Sequence, residues 1–586
     1  MTNKEIAKQI SDIGDMLEIL GNRKDQFRII AYHNAARKIE MLSFELEDVY
    51  KEKGADGLKG ISSIGESISK SIEELIKTGE ISYHEHLIKQ VPKAIVEFTK
   101  IPGIGPKTAL KIFESYKVDT IKKLKEKVKT DQTEKYFKKK SKQNILEGIE
   151  LLSHFTGRML LSFAEPIALE IIELLKKDNA VISCDAVGSL RRMQETVGDI
   201  DIVASSNNPT QTIQQFIQAP FIEHIISHGD TKATVIHKRG PQIDLEILPS
   251  EEYGSLLQHF TGSKEHNVKL RTWAQAHGFS ISEHGIKPLR GKSQETRNNN
   301  QIDDRKIIKC ETEEKVYKTL GMDYIPPELR EDRGEIDLAL KHQLPKLVEI
   351  KDIKGDFHLH SIHSDGETSI EDMATACKKL GYTHIAITDH TFGLGVTHGL
   401  RETDIDNYIN ETKRVSKKVG IKVLAGAETN IMANGEIDMP DKYLEKLDFV
   451  IASIHSGFRQ DRVKITERLI KSIQNPNVDI IGHPSGRLLE RRHELSIDWE
   501  KVFKQAAVNK VAMEIDAQPD RLDLDDNLIL LAKKFGVKFI ISTDSHHIEH
   551  LQNMRYGVAM ARRGWLEKKD ILNTLSLSEF LVYLNK

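Results

Sequence analysis

Cysteine is scarce in this chain. Only Cys184, Cys310 and Cys377 occur in 586 residues, and no two of them form a CxxC pair. That excludes a disulfide framework and a cysteine-built zinc cluster, and it is the usage expected in a reducing compartment. Long apolar runs are also missing. Met-Thr-Asn-Lys leads straight into amphipathic sequence, so neither a signal peptide nor a membrane span is expected, and a soluble intracellular protein is. An excess of one charge is absent as well: 85 Lys and Arg stand against 88 Asp and Glu, a net charge of −3. This near-balance does not exclude nucleic acid, because binding follows local patches rather than totals. At 586 residues, 39% of them hydrophobic, the chain is too long for one core, and roughly two to five domains are expected.

Residues 1–150 read as short helices. Ile6, Ile10, Ile13, Leu17 and Leu20 keep helical spacing, and turns containing glycine interrupt the pattern near 54–65, 79 and 103–105. From about 180 to 250 the period becomes that of strands, in "VISCDAVGSL", "DIDIVAS", "TVIHKR" and "QIDLEILPS". Residues 291–306, "GKSQETRNNNQIDDRK", read as a flexible polar insertion, and the paired prolines of "YIPPELRED" (324–332) stop any helix. The second half alternates short apolar runs with helix-like segments. The runs "HIAITDH", "KVLAGAE", "FVIASIH", "VDIIGHP", "VAMEID" and "VKFIISTDSH" argue for a parallel sheet or barrel.

The first chemistry lies in "VGSLRRMQETVGDIDIVAS" (187–205). Residues two apart on a strand share a face, so Asp199 and Asp201 project together while Ile200 and Ile202 point into a core. Asp244 of "QIDLEIL" sits on another apolar strand that can lie beside the first. Three converging carboxylates repel one another unless cations sit between them, and hard oxygen ligands favour magnesium bound with substrate phosphates. A bare D-x-D is more often a polar strand edge. Here Gly188-Ser189 and the guanidinium pair Arg191-Arg192 precede it, a turn suited to holding a triphosphate, which makes nucleotidyl transfer the better reading.

These stretches, with "HFTGSKEHNVKLR", "HGFSISEHGIKPL" and "YIPPELRED" in order, closely resemble the family X DNA polymerases (DNA polymerase β-like) over roughly residues 1–335. The resemblance implies a nucleotidyltransferase palm and thumb. Asp199, Asp201 and Asp244 would be catalytic ligands to two magnesium (or manganese) ions, and Arg158, Gly188, Ser189, Arg192 and Gly198 would contact the triphosphate. His259, Phe260 and Gly262 would flank the sugar, with Asn267 and Arg271 near the nascent pair or template. Two positions depart from the family pattern: His259 stands where the vertebrate enzyme has tyrosine, and Gln242 replaces an arginine before the third aspartate. Gapped or primer-template DNA and deoxynucleoside triphosphates are the implied partners, with no membrane partner and a monomeric state.

"IPGIGPKTALKIF" (101–113) fits a helix-hairpin-helix, in which Gly103 and Gly105 let the backbone approach a phosphate beside Lys107. "ISSIGESISKSIEEL" (61–75) resembles a weaker second copy around Ile64 and Gly65. The lysine-rich stretch 122–142 reads either as a solvated helix face or as a phosphate contact. The N-terminal helices resemble the small domain that removes 5′-deoxyribose phosphate in some relatives. In register, however, the Schiff-base lysine falls on Ser71, and Lys70 points about 100° away, so no strong lyase activity is expected.

"GDFHLHSIHSDG" (355–366) packs His358, His360, His363 and Asp365 into eight positions. Polar residues that can ligate metal then recur after one apolar run after another: Asp389-His390, Glu428, His455, His483 and Asp544-Ser545-His546. In a parallel barrel those strand ends converge on one face. The pattern resembles the polymerase and histidinol phosphatase (PHP) family, a distorted seven-stranded β/α barrel, over about 352–586. It implies up to three zinc, manganese or iron ions. His358, His360, Glu428 and Asp544 would hold one, Glu428, His455 and His483 a second, and Asp365, His390 and His546 the third. His363 is read as a neighbour, and His398 and Arg487 as either substrate contacts or ordinary surface residues.

The expected architecture is therefore multidomain, α+β and α/β. An N-terminal helical DNA-binding domain (1–85) and a helix-hairpin-helix subdomain (86–156) precede a palm (157–250), a nucleotide-selection and thumb subdomain (251–338) and a PHP barrel (352–586). The expected activity is short-gap filling in DNA repair combined with a 3′-5′ exonuclease or related 3′-end phosphoesterase, in the cytoplasm and associated with the nucleoid. Two alternatives are a barrel that hydrolyses small phosphomonoesters and a repair scaffold that only binds DNA.

Overall fold

The computed structural model describes residues 3–20, 25–40, 46–61, 64–99, 101, 104, 106–131, 133, 135–139, 141–143, 145, 146, 149, 158–289, 307–393, 399–458, 460–489 and 492–584. The polar stretch 291–306, Gly103, Gly105 and His398 lie outside them. The chain forms two compact units: 1–157 with 220–227 and 234–242, and 158–219 with 228–233 and 243–586.

Among the described residues through 149, the first unit has helices as its regular structure. Of the spaced apolar positions, Ile6, Ile10, Ile13 and Leu17 are buried in one core, whereas Leu20, the last residue of helix Asn3–Leu20, is exposed. Two turns of the same form lie further on. The Ile64 amide donates to the Ile61 carbonyl at 3.1 Å, and the Ile104 amide donates to the Ile101 carbonyl at 3.0 Å. Helices Glu66–Thr78 and Pro106–Tyr116 start two residues after each turn, the second with proline at its first position, where no amide is needed. In both stretches the described residues share this hydrogen bond and a buried isoleucine two residues before the helix. Ile64 is a core residue, and its side chain anchors the turn. Gly65 caps the next helix in extended conformation, with open space around it.

In the second unit, strands β1 (Val181–Ala186), β2 (Ile200–Ser206) and β3 (Gln242–Leu248) form the sheet that carries the carboxylates. β2 runs antiparallel to β1 and parallel to β3, and Asp201 lies directly opposite Asp244. Simple alternation along β2 ends after Asp201, since Val203, Ala204 and Ser205 are all buried. Helices Leu161–Leu175 and Tyr253–Thr261 both pack against this strand, which leaves it no solvent face.

The remaining strands are β4 (His384–Ile387), β5 (Lys422–Asn430), β6 (Phe449–Ser453), β7 (Ile480–Gly482), β8 (Ala512–Asp516) and β9 (Phe539–Ser542). They pair in that order, all parallel. The seventh place belongs to residues 356–360. The Ala386 and Thr388 amides donate to the Asp356 and Leu359 carbonyls at 3.0 and 2.8 Å on one side. On the other, the His360 amide donates to the Ser545 carbonyl at 2.9 Å. "DFHLH" thus bridges β4 and the end of β9 and closes the distorted barrel. Ala386, Leu424, Ile451, Ile480, Ala512 and Ile540 supply one residue from each strand to the interior. Phe580 stacks on Phe357 at 4.4 Å and meets Phe449, the first residue of β6, so apolar packing fills the strand N-terminal end and leaves the polar groups at the other.

Within this unit, buried ion pairs join the sheet region to the barrel. Arg563, 2% exposed, donates to Glu331 at 3.0 Å, to Asp526 and to the Arg192 carbonyl at 2.8 Å. Arg192 and Arg333 bind the same two carboxylates at 3.0 and 3.1 Å. Burial pushes both carboxyls up, but the guanidiniums outweigh it and hold each below its ordinary value. Arg563→Ala is therefore expected to cost about 3 kcal/mol, because it leaves buried carboxylates short of a cation. Because both folded values are depressed, the pairs stabilise the fold above about pH 4 and lose that contribution as pH falls through the folded values. The penalty read from denaturant midpoints should accordingly shrink in acid.

Candidate active sites

Asp199, Asp201 and Asp244 each offer a carboxylate oxygen, and these atoms lie within 4.8 Å of one another. In-register pairing of β2 with β3 places two of them, and Asp199 precedes β2 by one residue. Burial, followed by the charges of Asp199 and Asp244, pushes the Asp201 carboxyl up to about 7, and Arg192 opposes the rise. Burial and Asp244 likewise raise Asp199. Cations beside the cluster would offset that rise and favour the charged form of Asp201, and an all-carboxylate donor set suits hard divalent ions.

Gly188 has φ +63°, and a Cβ there would lie 2.5 Å from Asp201 Oδ2. The position requires glycine for both conformation and space. Gly188→Ala should displace Asp201 and cut nucleotide incorporation by roughly 10²-fold, the scale of a misplacement of about 1 Å. Steady-state incorporation checks this, with the barrel's activity unchanged in the same preparation.

The predicted nucleotide contacts fall into linked groups. Arg192 donates Nη1 to the Thr261 carbonyl at 2.6 Å and Nε to Glu331, and it lies 3.0 Å from where a Gly262 Cβ would sit. Arg191 turns away, to Thr261 Oγ1 and Glu313, both at 2.6 Å. Ser189 is part of the helical turn Gly188–Arg191. Arg158 bonds Thr196 through Nε at 2.8 Å, and a Cβ on Gly198 would lie 3.5 Å from its Nη1. Arg271 Nη2 meets His259 Nδ1 at 3.0 Å, Asn267 donates to the His259 carbonyl at 2.7 Å, and Phe260 lies beside His259 with ring centroids 5.2 Å apart.

In the first unit, Lys70 pairs with Glu66 at 2.9 Å on the exposed face of its helix, while Ser71 is buried. Lys107 lies in helix Pro106–Tyr116. Lys142 does not extend the basic face. It is buried and donates to the Asp131 carbonyl at 2.9 Å.

At the barrel mouth the hub is Glu428, 1% exposed. Its Oε2 lies 3.3, 3.6 and 2.9 Å from His358 Nε2, His360 Nε2 and His390 Nδ1. Its Oε1 lies 3.1 and 3.0 Å from the Nε2 atoms of His455 and His483. Asp544 Oδ1 approaches His358 and His360 at 3.6 and 3.1 Å, and Asp365 approaches His390 and His546 at 3.7 and 3.4 Å. All nine predicted donors thus converge. They form a continuous array rather than three separate sets, because His360 and His390 each present two ring nitrogens to different carboxylates. His363 bonds Glu411 at 3.0 Å, apart from the array.

The donor atoms fit metal ions. His358 Nε2, both nitrogens of His360 and His390 Nδ1 are buried and make no hydrogen bond among the described residues, a costly state unless each lone pair has another partner. Burial lowers His360 to about 4, which keeps the imidazole in its neutral, ligating form. His483 and Asp544 have φ of 27° and 45°, the kind of backbone strain that clusters at functional sites.

Sequence reasoning missed the residues that orient these rings. Glu514 accepts from His358 Nδ1 at 2.7 Å and from the His483 amide at 2.6 Å, and Asn430 Oδ1 meets His455 Nδ1 at 2.6 Å. A glutamate inside the apolar run "VAMEID" was the available signal. Asp389, noted beside His390, instead ties down the 361–364 turn by accepting from Ser361 and Ser364 at 2.6 Å each. Arg487 is neither a surface residue nor open to a substrate. It is buried, pairs with Glu195 at 2.7 Å and donates to backbone carbonyls of Arg521 and Leu522.

A nucleotidyltransferase-like carboxylate triad and a histidine-rich barrel on one chain define a polymerase coupled to a metal-dependent phosphoesterase. Comparison with known proteins agrees. The helix-hairpin-helix domain family matches residues 1–81, the DNA polymerase beta thumb 256–331, and the PHP domain 356–518. The chain belongs to the family X DNA polymerases that carry a PHP domain. It is 34% identical to the DNA polymerase/3′-5′ exonuclease PolX of Bacillus subtilis (strain 168) over 591 aligned positions, covering 100% of both chains. Its barrel region also resembles smaller proteins. A probable phosphatase of Thermoanaerobacter sp. (strain X514) is 31% identical over 232 positions, which cover 37% of this chain and 89% of that protein. Among the described residues no helix is long and apolar enough to cross a membrane.

Proposed function

We infer that the chain fills short gaps in DNA at the Asp199–Asp201–Asp244 site and removes nucleotides from DNA 3′ ends at the barrel mouth. The observation that carries this reading is that two donor sets of different chemistry, one of carboxylates alone and one rich in imidazole, each gather ligand atoms within 4.8 Å of one another. The carboxylates would hold two magnesium or manganese ions, and the nine barrel donors up to three zinc, manganese or iron ions. Ions held there would supply Lewis acidity toward the primer 3′-hydroxyl and charge for the leaving pyrophosphate at the first site, and would acidify water at the second.

The protein's own groups do the rest. Gly188 and Ser189 would bring backbone close to the triphosphate, and Arg192, held by Glu331 and the Thr261 carbonyl, would contact it. Arg158 and Gly198 add to the same contact. His259, Phe260 and Gly262 would border the sugar, with Asn267 and Arg271, both bonded to His259, near the nascent pair or template. In the barrel, Glu514 and Asn430 fix the ring orientations of His358 and His455. The repeated Ile-x-x-Ile-Gly turns grip the DNA backbone without regard to sequence, around Gly65 in one copy and Gly103, Gly105 and Lys107 in the other.

The likeness to probable phosphatases favours one rival, a barrel specialised for small phosphomonoesters. Hydrolysis of a 3′-labelled oligonucleotide compared with p-nitrophenyl phosphate separates them. Our reading expects kcat/KM to favour DNA by orders of magnitude, and a preference for the small ester would reject it.

A further inference from the structure

One helix of the barrel, Met554–Arg563, meets the polymerase half at both ends. Near its start, Tyr556 donates to Glu165 at 2.7 Å, and Arg555 pairs with the same carboxylate at 2.7 Å. At its end, Arg562 pairs with Glu328 at 2.7 Å, and Arg563 reaches Glu331 and the Arg192 carbonyl. A single oxygen of Glu331, Oε1, accepts from Arg563 Nη1 at 3.0 Å, from Arg192 Nε at 3.0 Å and from Gln194 Nε2 at 2.7 Å. Arg563 Nη1 therefore holds Arg192 twice, directly at its backbone carbonyl and through Glu331 at its guanidinium. A second barrel arginine, Arg487, pairs with Glu195 at 2.7 Å. Residues 192–195 join the Gly188–Arg191 turn to the stretch that leads to Asp199, and the barrel fixes both of their ends.

Joining two domains needs only opposed charges across their interface. Here two guanidiniums of the barrel converge on the backbone and side chains of one short segment, the one that carries the arginine read as a triphosphate contact. A long arginine side chain binds an anion best when its fork is held beforehand, because less rotamer freedom is then lost on binding. The charge such a fork meets is present in the bound triphosphate and in the transition state alike, so loosening it weakens nucleotide binding more than it slows the chemical step.

We propose that Arg563 and Arg487 of the barrel are positioning residues for nucleotide addition, setting residues 192–195 so that Arg192 meets the incoming triphosphate. This rests on the reading of Arg192 as a triphosphate contact. The test is single-turnover filling of a one-nucleotide gap by the full-length protein, which separates nucleotide Kd from the maximal rate. Arg563→Gln is expected to raise Kd roughly tenfold, the scale of one weakened charge-assisted hydrogen bond, with the maximal rate changed by less than about twofold. Arg563→Lys, which keeps the charge, should restore much of the affinity. Glu195→Gln removes the partly exposed partner of Arg487 and should raise Kd by roughly threefold, the scale of one exposed ion pair; it carries the test should Arg563→Gln not fold. In an Arg192→Ala background neither substitution should raise Kd further, since both act through Arg192. A merely structural role would lower the reaction amplitude and leave Kd unchanged. That result, or a rise in Kd that persists in Arg192→Ala, overturns the proposal. If Arg192→Ala alone leaves Kd unchanged, the reading of Arg192 fails, and the proposal with it.

Discussion

The Asp199→Ala/Asp201→Ala variant should lose nucleotide addition by about 10³-fold or more, while 3′-end degradation continues at the wild-type rate. Both carboxylates sit in a cluster whose oxygens lie within 4.8 Å, so neither has a substitute nearby. The variant should also fold normally. Burial, then the charges of Asp199 and Asp244, raises the Asp201 carboxyl to about 7, and removing two mutually repelling acids relieves that cost rather than adding to it. Incorporation of one nucleotide into a gapped duplex, measured with denaturant unfolding of the same protein, checks both halves of the expectation.

The opposite phenotype is expected from Glu428→Gln. This side chain faces His358, His360 and His390 through one oxygen and His455 and His483 through the other. Burial opposes its charge, but the histidines, His390 foremost, hold its carboxyl well below the usual range. Glutamine keeps the shape and removes the charge that any shared pair of cations would need. Degradation of 3′ ends should fall by about 10³-fold or more and nucleotide addition should be spared. Metal content measured on the purified variant should fall in parallel.

Much of this was readable beforehand, for a physical reason. A buried parallel strand is a run of apolar residues, so the polar residues within three positions of its end mark the mouth of the barrel, and His390, His455, His483 and Asp544 all fall there. Asp201 and Asp244 were readable as paired because each interrupts an apolar strand. What escaped notice depends on contacts between residues far apart in the chain. Glu514 lies within its strand, and only the closing of the barrel brings it to His358, 156 positions away. Nothing around Arg487 indicated burial, which comes from Glu195 in the other half of the chain. Lys142 looked like one more surface lysine until the fold turned it onto Asp131. The seventh stave, residues 356–360, carries the ligand motif but makes only irregular bridges, so its histidines could be recognised more easily than its place in the sheet.

The most direct measurement is a time course on one gapped duplex with a labelled primer, for wild type, Asp199→Ala/Asp201→Ala and Glu428→Gln, in magnesium and in manganese. The account predicts extension and shortening by wild type, shortening alone by the first variant and extension alone by the second. If either variant lost both activities while remaining folded, the two chemistries would share one centre, and the account would be wrong.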